Sequence, residues 1–233
     1  NQDLKNWYSN WGTTRKCITM LGEEGVGKTW AAAAWCSTMA EKDNVPPIIF
    51  LGSNSLTEED QDPENIFFKA IDKLTTWGES YSKRRLRNWL KSKKKSTPLA
   101  ILVLDGINEK KEPVFWRNLL YNLASNEYGE KIAVILTCRT TYWDKHFSAL
   151  SELTEQIMVE GFNDKELSKF LSLHGLKRNE ICSEMLTLIR KPRYFSLMIE
   201  HRKKIEASGE VTVARLIYED WKDRVARKNN QVL

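Results

Sequence analysis

The sequence predicts an α/β domain built on a parallel sheet with helices on both faces, followed by a smaller all-α domain. Three observations predict it. Short, continuous apolar runs alternate with helix-like segments over the first two thirds of the chain, the pattern of strands buried on both faces. A glycine-rich turn, Gly22–Thr29, separates the first apolar run from the first long helix-like segment. After Gly161 no further strand-like run occurs. The expected boundaries are 1–160 for the α/β domain and 161–233 for the helical one.

The elements follow in order. Cys17–Leu21 (CITML) is a short apolar run closed by glycine and reads as a buried strand. Lys28–Lys42 holds no Gly or Pro and carries four consecutive alanines, so it reads as a helix. Apolar residues lie on most of its sides, which predicts burial all round. Ile48–Leu51 is a second strand, framed by Pro46, Pro47 and Gly52. The acidic, Ser-bearing stretch Ser53–Pro63 reads as a solvated, mobile loop. Helices are expected at Pro63–Trp77 and Ser82–Lys95, and Ala100–Leu104 is the clearest strand. Glu112–Ser125 follows as a helix with Pro113 near its first turn. Strands are expected at Ile132–Leu136 and Gln156–Val159. Asn163 caps a helix running to about His174, and Asn179–Ile189, Arg193–Lys204 and Val211–Ala226 complete the helical set. No internal repeat is present.

Composition narrows the class. At about 150 residues per domain, 233 residues make one large domain or one domain plus a module. A chain this long buries about 70% of its unfolded surface and needs no disulfide or metal to hold it. Apolar residues at 41% and charged residues at 29% exclude a disordered, collagenous or low-complexity chain. The apolar run Leu99–Leu104 is too short to span a bilayer. No signal segment opens the chain and no Met begins it, so it reads as a domain excised from a longer protein. Lys plus Arg is 36 and Asp plus Glu 31, a net charge of +5 that says little about nucleic acid. Cys17, Cys36, Cys138 and Cys182 form no CxxC pair and no cluster with histidine. Zinc and redox chemistry are unsupported, and reduced, partly buried thiols of a cytosolic protein are expected.

The chemistry begins at Gly22-Glu23-Glu24-Gly25-Val26-Gly27-Lys28-Thr29, which fits G-x-x-x-x-G-K-[ST] with a strand before it and a helix after it. The glycines allow a loop whose backbone N–H groups turn toward anionic oxygens, and the helix N-terminus adds its positive end. Lys28 is placed to reach the β- and γ-phosphates of a nucleotide, and the Thr29 hydroxyl to ligate Mg²⁺. Gly22, Gly25, Val26, Gly27, Lys28, Thr29 and Trp30 belong to the expected nucleotide-binding set. The fold is therefore expected to be a three-layer P-loop NTPase. The strand Ala100–Leu104 ends in Asp105, at the sheet edge where the nucleotide's Mg²⁺ would sit. On its own Asp105-Gly106 reads equally as a turn that caps a strand. Beside a phosphate loop, Asp105 becomes the second metal-holding residue, through water.

Four segments in order, Gly22–Thr29, Leu102–Glu109 (LVLDGINE), Ile135–Arg139 (ILTCR) and Val159–Phe162 (VEGF), resemble the signal-transduction ATPases called STAND, on their NACHT-like branch. The resemblance spans nearly the whole chain, and the ordered set carries it, since many NTPases share the first motif. It implies a five-stranded sheet with the phosphate loop after the central strand, a helical lid opened by Gly161–Phe162 and Asp164–Glu166, and slow hydrolysis of ATP with Mg²⁺ used as a switch. The ADP-bound family member is a closed monomer, and ATP with a trigger favours an open, self-associating form. Bacterial members serve in antiviral defence against phage, and animal and plant relatives in innate immunity or cell death; bacterial defence is the favoured setting here. The resemblance implies that trigger and output belong to sensor and effector domains that normally flank such a module.

By the same resemblance, Arg139 is the sensor of the γ-phosphate, suited to it by a fixed guanidinium, although a surface salt bridge is the plain alternative. Lys28, Asp105, Glu109 and Arg139 then form the catalytic set. The family usually carries an acid where Asn108 stands. Glu109 is the next carboxylate and the expected water-activating base, since an amide cannot accept a proton. The family's Gly-x-Pro near the adenine is Arg190-Lys191-Pro192 here, with the proline but no glycine, so Pro192 is either an adenine contact or a helix starter. Trp7, Tyr8 and Trp11, in the segment Trp7–Arg15 before the first strand, either stack on adenine or pack on the lid.

Eight basic residues (Lys83, Arg84, Arg85, Arg87, Lys91, Lys93, Lys94, Lys95) fall in thirteen positions without an acid. They read first as a solvated helix face behind Leu86, Trp89 and Leu90, and otherwise as a contact for nucleic acid or an acidic partner. Two other functions stay open. One is a mechanical ATPase of the AAA+ kind acting on nucleic acid, which usually carries Glu where Gly106 stands. The other is a non-hydrolysing scaffold that assembles with ATP. No Asn-Lys-x-Asp appears, which disfavours GTP.

Overall fold

The computed structural model describes residues 2–14, 17–74, 79–91, 97–125, 127–207 and 212–229. Five strands, β1 (Cys17–Leu21), β2 (Ile48–Gly52), β3 (Ala100–Asp105), β4 (Ile132–Cys138) and β5 (Thr154–Met158), form one sheet in the order β2-β3-β4-β1-β5. Every pairing is parallel, from Ile101 opposite Ala133 to Met20 opposite Ile157. The phosphate loop thus leaves β1 between β4 and β5. The middle strand is β4, which corrects the expectation that the loop follows the central strand. β3 and β4 are buried throughout except at Asp105 and apolar but for Asp105 and Thr137, as strands covered on both faces must be.

Helices α1 (Gln2–Thr14), α2 (Lys28–Ala40), α3 (Pro63–Leu74), α4 (Glu79–Leu90), α5 (Pro113–Ala124) and α6 (Thr140–His146) belong to this part of the chain. One core joins Leu102, Leu104, Val134 and Leu136 to Phe67 of α3, Leu86 of α4, Trp116 of α5 and Trp143 of α6. The pleat turns Ile101, Val103, Ala133 and Ile135, also buried, to the opposite face. There α2 contacts β4, and the rings of Trp7 and Tyr8 on α1 meet Trp35 of α2. This is a three-layer α/β P-loop fold.

A second compact unit contains residues 159–233 together with 23–27, while residues 1–22 and 28–158 make up the first. Its helices are α7 (Asp164–Leu173), α8 (Ser183–Ile189), α9 (Pro192–Ala207) and α10 (Val213–Asn229). Asn163 caps α7 as expected. Its side chain accepts from the Glu166 N–H, and Glu166 reaches back to the Asn163 N–H, both at 2.9 Å. Leu167, Leu171, Met185, Ile189, Phe195 and Leu216 form a separate apolar core.

Several expectations need correction. α2 is buried on one face only, through Ala32, Trp35, Cys36 and Met39, and Trp30 is 74% exposed. The stretch after β2 is built rather than loose. Leu56 enters the core, and Asp60 is buried in two short turns, Ser53–Ser55 and Glu58–Gln61. Burial alone would raise the Asp60 pKa. Its hydrogen bonds from Lys69 and Thr57 outweigh that and hold it below the usual carboxylate range. β5 begins two residues earlier than expected, at Thr154. The helix expected at Asn179–Ile189 is a single turn, Arg178–Glu180, followed by α8 after an extended Ile181. Arg15, Trp77, Lys93, Lys94, Lys95 and Val211, named in the sequence reading, lie outside the described residues.

Candidate functional site

The first cluster lies where β3 and β4 end. The Thr29 hydroxyl, in the first turn of α2, donates to Asp105 Oδ1 and Oδ2 at 2.9 and 3.0 Å. Thr137, fully buried near the end of β4, donates to Asp105 Oδ1 at 2.6 Å and accepts from the Gly106 N–H at 2.8 Å. Two hydroxyls therefore orient one carboxylate. Hydroxyl and carboxylate oxygens are the hard donors that Mg²⁺ takes when phosphate and water fill its other positions, so the pair Thr29 and Asp105 fits the cation. Among the described residues, no group of three or more His, Cys, Asp or Glu could form an all-protein metal cage.

The chain turns sharply after Asp105. Gly106 has φ +72°, a conformation that costs other residues about 1–2 kcal/mol. A Cβ there would meet the Glu109 carboxylate at 3.3–3.4 Å. The turn closes through the Glu109 N–H on the Gly106 carbonyl at 2.8 Å. The neighbouring β4 end is tied to it. The Ile107 N–H donates to the Thr137 carbonyl, and the Arg139 N–H donates to Asn108 Oδ1 at 3.0 Å. Asn108, Glu109 and Arg139 line one cleft of about 480 Å³ with Thr141, Tyr142, Lys145 and His146. Glu109 and Arg139 are exposed in it.

Two cations converge on the strand end. Burial pushes the Cys138 thiol up to about 12, and the positive charges of Lys28 and Arg139 pull it the other way. Lys28 Nζ also donates to the carbonyl of the buried Gly22 at 2.7 Å. Cys17 and Cys36 are likewise buried and raised, to about 12 and about 11, by burial. These are not reactive thiols, and Cys182 is the exposed one.

The loop between Gly22 and Lys28 is held within the helical unit. Gly25 and Gly27 have φ +80° and +96° and Val26 is buried. The Arg193 N–H donates to the Gly25 carbonyl at 3.2 Å, and Arg193 Nη1 pairs with Glu24 at 2.7 Å. Pro192, the first residue of α9, lies 3.5 Å from where a Cβ on Gly27 would stand. At the other end of this connection the Phe162 N–H donates to the Arg190 carbonyl, and Asp164 pairs with Arg190 at 2.6 Å.

Sequence reasoning named Thr29, Asp105, Asn108, Glu109 and Arg139, and the structure brings these together. Thr137 stands in the Ile135–Arg139 motif without an assigned role, and the Glu24–Arg193 pair is not among the sequence candidates. A Thr closing a buried strand beside Asp105 was the available signal for the first. For the second there was none, since 169 residues separate the partners. Trp7 and Trp11 are buried in the α/β unit, with Trp7 packed on Trp35. The described basic residues of α4 are partly spent at home: Arg87 pairs with Glu64 at 2.7 Å, and Lys83 lies 5.1 Å from the Phe68 ring centroid.

This fold, with its glycine-rich loop between β1 and α2 and Asp105 at the end of β3, defines a nucleotide-binding P-loop NTPase module. Residues 16–175 match the NACHT domain, and the chain belongs to the NACHT family. Two solved structures are similar in fold. The first is the Aeropyrum pernix ORC1 protein in complex with DNA, with 13% identity, a TM-score of 0.51 and 95% of this chain covered. The second is AMPPCP-bound DnaA from Aquifex aeolicus, with 18% identity, a TM-score of 0.47 and 96% covered. The chain spans 64% of each of those chains. No curated protein sequence matches it. Among the described residues no helix is long and apolar enough to cross a membrane.

Proposed function

We propose that this chain binds ATP with Mg²⁺ and hydrolyses it slowly, as the switch module of a signal-transduction ATPase. The observation that carries the reading is the bonded set Thr29–Asp105–Thr137 beside Lys28. Lys28 and the loop N–H groups hold the phosphates. Thr29 and Asp105 hold Mg²⁺, which when bound neutralises charge on the β- and γ-phosphates. Glu109 accepts the proton of the attacking water, and Asn108 fixes the Arg139 backbone. Arg139 bonds the γ-phosphate that ADP lacks, so its contact free energy differs between the two nucleotides, as a switch requires. Residues 161–233 act as the lid, with Pro192 toward the base. Self-association with ATP and a defence role in the cytoplasm complete the reading, supported by membership of the NACHT family.

A second reading is a motor acting on nucleic acid. It is favoured by the basic α4, whose Lys83, Arg84 and Arg87 line a cleft of about 380 Å³ with the following Lys91, and one fold neighbour was solved with DNA. Steady-state turnover with and without double-stranded DNA separates the two. The switch gives slow turnover that DNA leaves unchanged, whereas stimulation of about tenfold or more would establish the motor.

A further inference from the structure

The loop expected to meet a polyanion carries two acids of its own, Glu23 and Glu24. A carboxylate there repels phosphate oxygens unless a cation offsets it. Within the helical unit, Glu24 Oε1 is 2.7 Å from Arg193 Nη1. The position of Arg193 is fixed by more than that pair. Its backbone N–H donates to the Gly25 carbonyl, and its Cβ lies 3.2 Å from where a Cβ on Gly25 would stand. Gly25 has φ +80°, so glycine is favoured there twice over, by conformation and by the approach of Arg193. A neighbouring contact has the same form, with Pro192 against Gly27. The start of α9 is thus built against the loop, and its one guanidinium reaches the loop carboxylate.

We propose that Arg193 neutralises Glu24 and thereby sets the affinity of the phosphate loop for nucleotide. This makes the loop's charge a property of the helical unit. While α9 stays on residues 23–27, the loop presents N–H groups with Glu24 compensated. Removal of the Arg193 guanidinium takes away the cation 2.7 Å from Glu24, and the nucleotide is then held less tightly. The effect must be larger for ATP than for ADP, because ATP brings more negative charge. Both partners are partly exposed, at 38% and 55% of the side chain, so solvent and salt reduce the effect but do not erase it. The inference rests on the reading of residues 22–29 as a nucleotide-binding loop, and Arg193 acts in it as a positioning residue.

The test is a double-mutant cycle read by calorimetric titration with Mg-ATPγS and with Mg-ADP, at low and at physiological salt. Arg193→Ala keeps the backbone hydrogen bond and removes the guanidinium. It is expected to weaken Mg-ATPγS binding about three- to tenfold, and Mg-ADP less. Glu24→Gln is expected to leave binding equal or tighter. In the Glu24→Gln background, Arg193→Ala is expected to lose most of its effect, and Arg193→Lys to retain most of the wild-type affinity. Added salt should shrink the difference. Equal losses from Arg193→Ala with and without Glu24→Gln would overturn the proposal, because packing alone would then explain Arg193. A wild-type chain that binds neither nucleotide would instead remove the phosphate-loop reading itself. Circular dichroism of each variant confirms that the comparison is made between folded chains.

Discussion

The end of β3 and the loop 23–27 hold their charged groups in opposite ways. At the strand end, Asp105 is bonded by Thr29 and Thr137, and all three stand on elements of one sheet unit. In the loop, Glu24 and Gly25 are held by Arg193, on a helix of the helical unit to which the loop itself belongs. The first arrangement is fixed whenever the sheet is folded. The second is fixed by the fold of the helical unit. The difference separates two proposed tasks: the strand end is proposed to hold the metal, and Arg193 to tune the charge of the loop.

The largest expected effect is at Lys28, the first residue of α2, just after the loop. Lys28→Ala should lower Mg-ATP affinity by about 100-fold or more without unfolding the chain, because the ammonium supplies charge and not core packing. Calorimetry on a variant with wild-type circular dichroism checks this, and wild-type affinity would break the comparison at its root. On the strand side, Glu109→Gln should slow single-turnover hydrolysis by about 100-fold while leaving affinity nearly unchanged. Asn108→Ala should do less. The reverse order would make Asn108 the residue that positions the water.

Arg139→Ala comes next. It should weaken ATPγS by about 1.5–3 kcal/mol and ADP much less, as expected for one charge-assisted hydrogen bond. Paired affinities read the difference, and equal losses would remove Arg139 as the group that tells the nucleotides apart. The smallest effect is on folding. Gly106→Ala forces a Cβ into φ +72° and toward the Glu109 carboxylate. It should cost about 1–2 kcal/mol of stability, seen as a lower Tm. An unchanged Tm would show that the turn after Asp105 relaxes freely.

How much of this was legible in the sequence follows the same division. The five strands could be found because four of them are apolar runs, and β3 and β4 are buried along nearly their whole length. β5 was misplaced by two residues because Thr154, Glu155 and Gln156 do not look like a strand. They pair on one side only, at the sheet edge, where Glu155 and Gln156 reach water although Thr154 is buried. α6 was missed because Thr140 and Thr141 open it without a periodic pattern, and its anchors are Trp143 and the following Phe147. The stretch after β2 looked mobile because its acids were read as solvated, yet Asp60 is bonded to Thr57 and Lys69. Thr29 and Asp105 were legible because chemistry constrains residue type at fixed spacing. Arg193 was not, because a loop's distant partner leaves no local pattern.

The central claim is that this chain holds an adenine nucleotide at Gly22–Thr29. Mass spectrometry of the nucleotide extracted from the purified wild-type chain, before and after incubation with excess Mg-ATP, tests it most directly. The account predicts ADP or ATP in near-equal ratio to protein after incubation. Guanine nucleotide, or no nucleotide retained even after incubation, would contradict it.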